Sequence, residues 1–289
     1  MTRTSPGTVR SDIPAFRAAS ISGCRRASGS VVSSTTRSPF RSSGPSPAFT
    51  RSKTERCVSC LPSDIIAFVV FCRLRYRLTL RDLSEIMALR GIEISHETVR
   101  DWEVKLLPIM GDALRKRRHG TGRAAGVSWY VDETYLKVRG RWCYLYRAID
   151  RDGNLIDAML SEHRDMQAAK AFFRSARATM GIRPDLVMTD GHGSYPRAIR
   201  IVLGKTVQHR TSVYLNNRLE QDHRGIKGRI RCMRGFKSHE AADRFCREHG
   251  ELRNLVRLRR RHNQIVSASL RRARFAKATS IALNIMQNA

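Results

Sequence analysis

The chain has 289 residues, 41% of them apolar, and carries 54 lysines and arginines against 25 aspartates and glutamates, a formal charge of +29. Such a charge points to a polyanionic partner, nucleic acid first, and the absence of a run of about 18 apolar residues excludes a membrane-spanning role. Charge alone fixes the partner class and not the activity, since a purely binding protein of ribosomal or chromatin type would be as basic.

The length sets a prior of about two domains, and the apolar content is enough for a core. The seven cysteines form no regular framework, which favours a reducing cytoplasm over a disulfide-linked fold. Cys57-Val58-Ser59-Cys60 has the spacing of half a zinc site. Only Cys72 and His96 stand nearby as recruits, so no zinc is expected.

Residues 1–60 are rich in Ser, Arg, Pro and Gly and show no persistent period. They read as a disordered extension. An Arg- and Ser-rich, acid-poor stretch also resembles an organelle transit peptide. A loose DNA-binding tail is the functional reading; a dispensable extension or an early start is preferred.

Residues 61–112 are expected to form a helix-turn-helix domain. Ile65, Ile66, Val69, Val70 and Leu74 recur at helical spacing behind Ser63 or Asp64 as N-cap. Thr79-Leu80-Arg81-Asp82 matches a capping box, with Leu83, Ile86 and Met87 behind it and Gly91 as the stop. Ser95 caps a further helix through Val99, Trp102 and Leu106, ending near Pro108. Two short helices around a tight turn suit DNA binding, with His96 and Arg100 near the start of the second, where base edges are met. A plain helical hairpin is the alternative. Residues 113–124 read as a basic linker, with Arg115, Arg117 and Arg118 as phosphate contacts.

From Val127 the pattern turns to strands. Val127 to Val131, Trp142 to Ile149 and Leu155 to Leu160 read as three strands joined by turns at Lys137–Arg141 and Asp150–Gly153. A helix from Asp165 to near Gly181, a buried strand at Leu186–Met188, a short helix at Pro196–Leu203, a strand at Val207–Gln208 and a helix capped by Asn216 complete an α/β layout over residues 125–260. Residues 261–289 read as a basic tail.

Two acids stand at the ends of apolar runs: Asp132 after Trp129-Tyr130-Val131 and Asp190 after Val187-Met188-Thr189. A third, Glu220, lies in a helical stretch, with Lys227 two turns on and on the same face. Each acid alone is as well explained by a turn or a cap. Together they can converge, and hard oxygen donors suit Mg²⁺, with Mn²⁺ as alternative. A pair of such ions serves in-line displacement at phosphorus. Asp222 points off that face and is read as a solvated or ion-paired acid. Arg218, Arg224, Arg229, Arg231 and Arg234 ring the helix as candidates for DNA phosphates.

The motifs Trp129-Tyr130-Val131-Asp132-Glu133-Thr134-Tyr135, Thr189-Asp190, Tyr214-Leu215-Asn216-Asn217-Arg218-Leu219-Glu220-Gln221-Asp222-His223-Arg224 and Gly235-Phe236-Lys237-Ser238 resemble, in order and spacing, the bacterial DDE transposases of the insertion-sequence-six family. The likeness covers about Pro62 to Arg257. It implies an RNase H-like mixed sheet flanked by helices, with Asp132, Asp190 and Glu220 binding two Mg²⁺ ions and Lys227 as the family's lysine. It also implies binding to the terminal inverted repeats of an insertion sequence, strand cleavage, and transfer of the 3′ ends into target DNA. At least a dimer would hold two ends, in the bacterial cytoplasm at the nucleoid and away from membranes. The extension before Ser63, the residues after Ser267 and Gly191-His192-Gly193 depart from the family pattern. The alternatives are a non-catalytic DNA-binding self-regulator, a degenerate and inactive transposase, and a ribonuclease H-type nuclease, against which the helix-turn-helix speaks.

Overall fold

The computed structural model describes residues 61–119, 127–211, 217–258 and 265–289. The N-terminal extension, and with it the Cys57–Cys60 pair, lies outside the described residues. The described part belongs to one compact unit, Glu55–Ala289. Three helices come first: α1 (Ser63–Arg75), α2 (Leu80–Ala88) and α3 (His96–Arg118). Strands β1 (Ser128–Val138), β2 (Arg141–Asp150) and β3 (Leu155–Ser161) follow, then α4 (Met166–Met180), β4 (Leu186–Thr189), α5 (Tyr195–Val202) and β5 (Gln208–Thr211). Helices α6 (Asn217–Ile230), α7 (His239–Val256) and α8 (Ala268–Gln287) close the chain.

The five strands lie in the order β3-β2-β1-β4-β5. β1, β2 and β3 are antiparallel, whereas β4 runs parallel to β1 and β5 parallel to β4. This is the RNase H-like mixed sheet that the family resemblance implies, and it agrees with the α/β layout read from the pattern of runs and turns. Local chemistry accounts for its joints. The two-residue turn between β1 and β2 has both residues at positive φ, 49° at Arg139 and 81° at Gly140, the backbone twist that suits a tight hairpin. Asp165 caps α4 by accepting from the Ala168 N–H at 2.7 Å, and α4 ends on Gly181 in the left-handed region.

Alternation along β1 assigns the two faces of the sheet. Trp129 and Val131 join Tyr146, Ala148, Ile156 and the apolar faces of α4 and α5 in one buried cluster. Leu136 and Val138 join Cys143, Leu145, Leu160 and residues of α1, α2, α3, α6, α7 and α8 in another. The sheet is therefore sandwiched between helix layers, with the larger core on the α7 side.

Several boundaries differ from those read in the sequence. Helix α1 starts after Pro62, which caps it without a side-chain hydrogen bond. The capping box at Thr79 and Asp82 is present, with the Asp82 N–H on Thr79 Oγ1 at 3.1 Å and the Thr79 N–H on Asp82 Oδ2 at 2.8 Å. Ser95 accepts from the Thr98 N–H at 3.0 Å. Helix α3 does not stop at Pro108 but runs on to Arg118, because Met110 and Leu114 are buried beyond the proline. The first half of the expected linker is thus helical, and α1–α3 share a core with the sheet in place of standing apart from it. Likewise the expected tail contains α8, whose Ala278, Ala282 and Met286 are buried. Among the described residues no helix is long and apolar enough to cross a membrane.

Candidate active site

Asp132 lies within β1 and not at its end, since pairing with β2 continues to Val138. On the other side, β1 pairs with β4 only from Ser128 to Tyr130. Asp132 therefore sits just past the last β1–β4 pair, where the sheet opens. Asp190 directly follows β4, beside that gap. Alternation puts Asp132 on the face of Tyr130, whose core includes α6, and Glu133 on the face of Val131, where it meets Tyr195 of α5.

Ligand-capable oxygens of Asp132, Glu133 and Asp190 lie within 4.8 Å of one another. A second group, also within 4.8 Å, joins Asp132 and Glu220 to a ring nitrogen of His223. Asp132 is common to both groups, so the three acids named from the sequence meet around it. Burial first, then the negative charges of Glu133, Asp190 and Glu220, push the Asp132 carboxyl up to about 7. The Glu133 N–H donates to Asp132 Oδ1 at 2.8 Å, which opposes that shift without cancelling it.

The neighbours of the acids were not legible as site residues. Glu133 is buried and accepts from the Arg164 guanidinium and the Tyr195 hydroxyl. Arg164 Nη2 also reaches Asp190 Oδ2 at 3.2 Å. The other Asp190 oxygen accepts from the His192 N–H at 3.0 Å, so the unusual Gly191-His192-Gly193 stretch folds back onto the acid. His223 is buried, and burial with the nearby Arg147 pushes its imidazole down to about 3, so the ring is neutral. The spacing of His223 from Glu220, one helical turn, was the one available signal for it.

Asp222 anchors the helix that carries Glu220 and His223. Its Oδ2 accepts from Arg147 Nε on β2 at 2.6 Å, and its Oδ1 from Arg253 on α7. Burial works to raise the Asp222 carboxyl, but the two arginines outweigh it and hold it below its usual range. The expectation that Asp222 is ion-paired and not a ligand fits this arrangement, although the pair is buried and not solvated.

The basic candidates divide. Lys227, Arg224 and Arg231 are exposed on and just beyond α6, and Arg117 is exposed on α3. His96 and Arg100 are half-exposed at the start of α3, both against Glu97. Three others are corrected. Arg229 is buried, with its guanidinium on the carbonyls of Leu74 and Arg73. Arg115 is tied to Asp112 and Glu248, and Arg118 to Glu251 and the Ile156 carbonyl. These guanidiniums hold α3 and α6 to their neighbours and are not free for a phosphate. The Arg218 side chain lies outside the described residues.

A mixed 3-2-1-4-5 sheet bearing acids on β1, after β4 and on the helix after β5 defines the class: an RNase H-like DDE polynucleotidyl transferase. Comparison with known proteins agrees. A family model described as a DDE domain matches residues 126–259. The transposase for the insertion sequence-like element IS431mec of Staphylococcus aureus is 41% identical over 170 residues, 57% of this chain and 74% of that one. The S. aureus transposase for insertion sequence element IS257 in transposon Tn4003 matches to the same extent, 41% over 170 residues. An uncharacterized protein of Yersinia pseudotuberculosis is 39% identical over 77 residues, 26% of this chain and 72% of that one. A chain in a simian T-cell lymphotropic virus intasome structure superposes with a TM-score of 0.30 at 16% identity, over 48% of this chain and 53% of that chain, a likeness too slight to bear on the argument. The chain belongs to the DDE transposases of the insertion-sequence-six family.

Proposed function

We propose that Asp132, Asp190 and Glu220 hold two divalent ions, Mg²⁺ by preference and Mn²⁺ as substitute, at which DNA strands are cleaved and joined. The observation that carries this is the pair of ligand groups sharing Asp132, each within 4.8 Å. The donor set fits the ions: hard carboxylate oxygens from three separate segments. Burial first, and then the charges of Glu133, Asp190 and Glu220, raise the Asp132 carboxyl, so a cation would relieve the cluster. Among the described residues, Arg164 is the cation bonded into the cluster, and it is engaged by Glu133 and Asp190.

When bound, the ions would activate the attacking water or 3′-OH and stabilise the leaving oxygen. The side chains of the chain do the positioning that phosphoryl transfer mostly requires. Tyr195 and Arg164 hold Glu133 in place, which fixes the strand carrying Asp132. The Arg147–Asp222–Arg253 cluster fixes α6, and so Glu220. Lys227, two turns after Glu220 and exposed, would neutralise a phosphate beside the acids. Arg224 and Arg231 extend that basic strip along the incoming backbone, and Arg117 contributes from α3. The exposed start of α3, with His96 and Arg100, would enter the major groove after α2 in the manner of a recognition helix.

The substrates in this reading are the terminal inverted repeats of an insertion sequence and a target DNA. At least two copies would assemble to hold both ends, in the bacterial cytoplasm at the nucleoid. The convergent acids speak against a purely regulatory or degenerate protein. The test is strand transfer of element ends by the purified full chain in Mg²⁺. Asp132→Asn, Asp190→Asn and Glu220→Gln should each lose activity by roughly 10⁴-fold or more, the scale for groups that act as a unit, with DNA binding kept. Full transfer by any of the three would remove that acid from the site.

A further inference from the structure

The geometry points to His223 as a nitrogen ligand to the cation held by Asp132 and Glu220, an inference that rests on the metal-binding reading above. One of its ring nitrogens lies within 4.8 Å of the ligand oxygens of both acids. His223 is 3% exposed, and its Nε2 is buried with no hydrogen-bond partner. Leaving a polar atom in that state is unfavourable, and the fold does not relieve it from the neighbouring acid. Asp222, adjacent in sequence, is already bound by Arg147 and Arg253. A buried imidazole with an unpartnered ring nitrogen, one helical turn from Glu220 and grouped with Asp132, is the arrangement of a ligand.

The two halves of the site are then unlike. The half toward α6 has Asp132, Glu220 and an imidazole. The half toward β4 has Asp132 and Asp190, while Glu133 is engaged by Arg164 and Tyr195. An imidazole in an otherwise oxygen set weakens the preference for Mg²⁺ and favours transition ions such as Mn²⁺. The α6 half is thus the one at which Mn²⁺ competes best.

The experiment is pulsed electron paramagnetic resonance on the full chain loaded with Mn²⁺ alone, without DNA. The expected result is an echo modulation from directly bound ¹⁴N that changes to the ¹⁵N pattern when the protein is labelled with ¹⁵N-histidine. His223→Gln should lose it while still binding Mn²⁺, with the dissociation constant raised by at least about tenfold. His192→Gln, which alters the imidazole nearest Asp190 in sequence, should keep it, and this variant tests the assignment even if His223→Gln does not fold. Saturable Mn²⁺ binding with no nitrogen modulation overturns the inference and leaves the carboxylate site standing. Modulation that survives in His223→Gln overturns it too. No saturable binding at all removes the metal-binding reading itself, and this inference with it.

Discussion

Two acids a short distance apart on the same sheet and helix system have opposite surroundings. Asp222 is buried between two arginines, Arg147 and Arg253, and its carboxyl is held below the usual range. Asp132 is partly buried among Glu133, Asp190 and Glu220, and burial followed by their charges pushes its carboxyl up to about 7. Arginine pairing recurs between α3 and α7, where Arg115 and Arg118 meet Glu248 and Glu251, although burial there outweighs Arg115 and pushes the Glu248 carboxyl up to about 8. In the frame, the buried acids Asp222, Glu248 and Glu251 have arginine partners. In the site, the acids are gathered with less positive charge than they need. The unmatched cluster has its energetic use only when a cation from outside completes it.

The largest effect that breaks this comparison is removal of the matched acid. Asp222→Ala leaves Arg147 buried without its partner and should destabilise the fold by roughly 3–5 kcal/mol, read by chemical denaturation. Asp132→Asn removes repulsion instead and should raise the stability of the metal-free protein at pH 8. Equal losses in the two variants would erase the distinction between frame and site.

A smaller effect follows from the Asp132 carboxyl. Its folded pKa is raised above the unfolded value, so the metal-free fold loses stability as pH rises from about 4 toward 7 and then levels off. Protons compete with the cation over the same window. Mg²⁺ affinity should therefore rise by up to about tenfold per pH unit below 7 and flatten above it. A titration calorimeter reads this directly, and an affinity flat from pH 5.5 to 8 would mean that Asp132 is ionised without metal.

Much of the frame was legible because its signals are local. The Thr79–Asp82 box, the Ser95 and Asp165 caps and the Gly181 stop are each decided by a few adjacent residues. Asp132 and Asp190 were legible because each follows a short apolar run, and Glu220 because Lys227 shares its helix face. What escaped depends on partners far away in the chain. Helix α3 continues past Pro108 although Gly111 also weakens it, and the reason for the glycine is Glu248, whose carboxylate lies where a Cβ would stand. Arg115 reads as a phosphate contact until Glu248, 133 residues on, is brought beside it. Charge pattern alone does not separate an arginine that faces DNA from one that faces a buried acid or carbonyl.

The arginines of α6 sharpen that last point with the smallest expected effect. Arg224 is exposed and Arg229 buried, five residues apart on one helix. Arg224→Ala should weaken DNA binding nearly uniformly across sequences and lower the salt slope by about one unit, with thermal stability almost unchanged. Arg229→Ala should do the reverse. It removes the hydrogen bonds to the carbonyls of Leu74 and Arg73, which tie α6 to the end of α1, and should lower stability by about 1–3 kcal/mol while leaving the salt slope of the folded fraction as it was. A salt slope that falls in Arg229→Ala as much as in Arg224→Ala would show that the buried guanidinium turns outward when DNA binds, so that the helix end and the DNA strip share one residue.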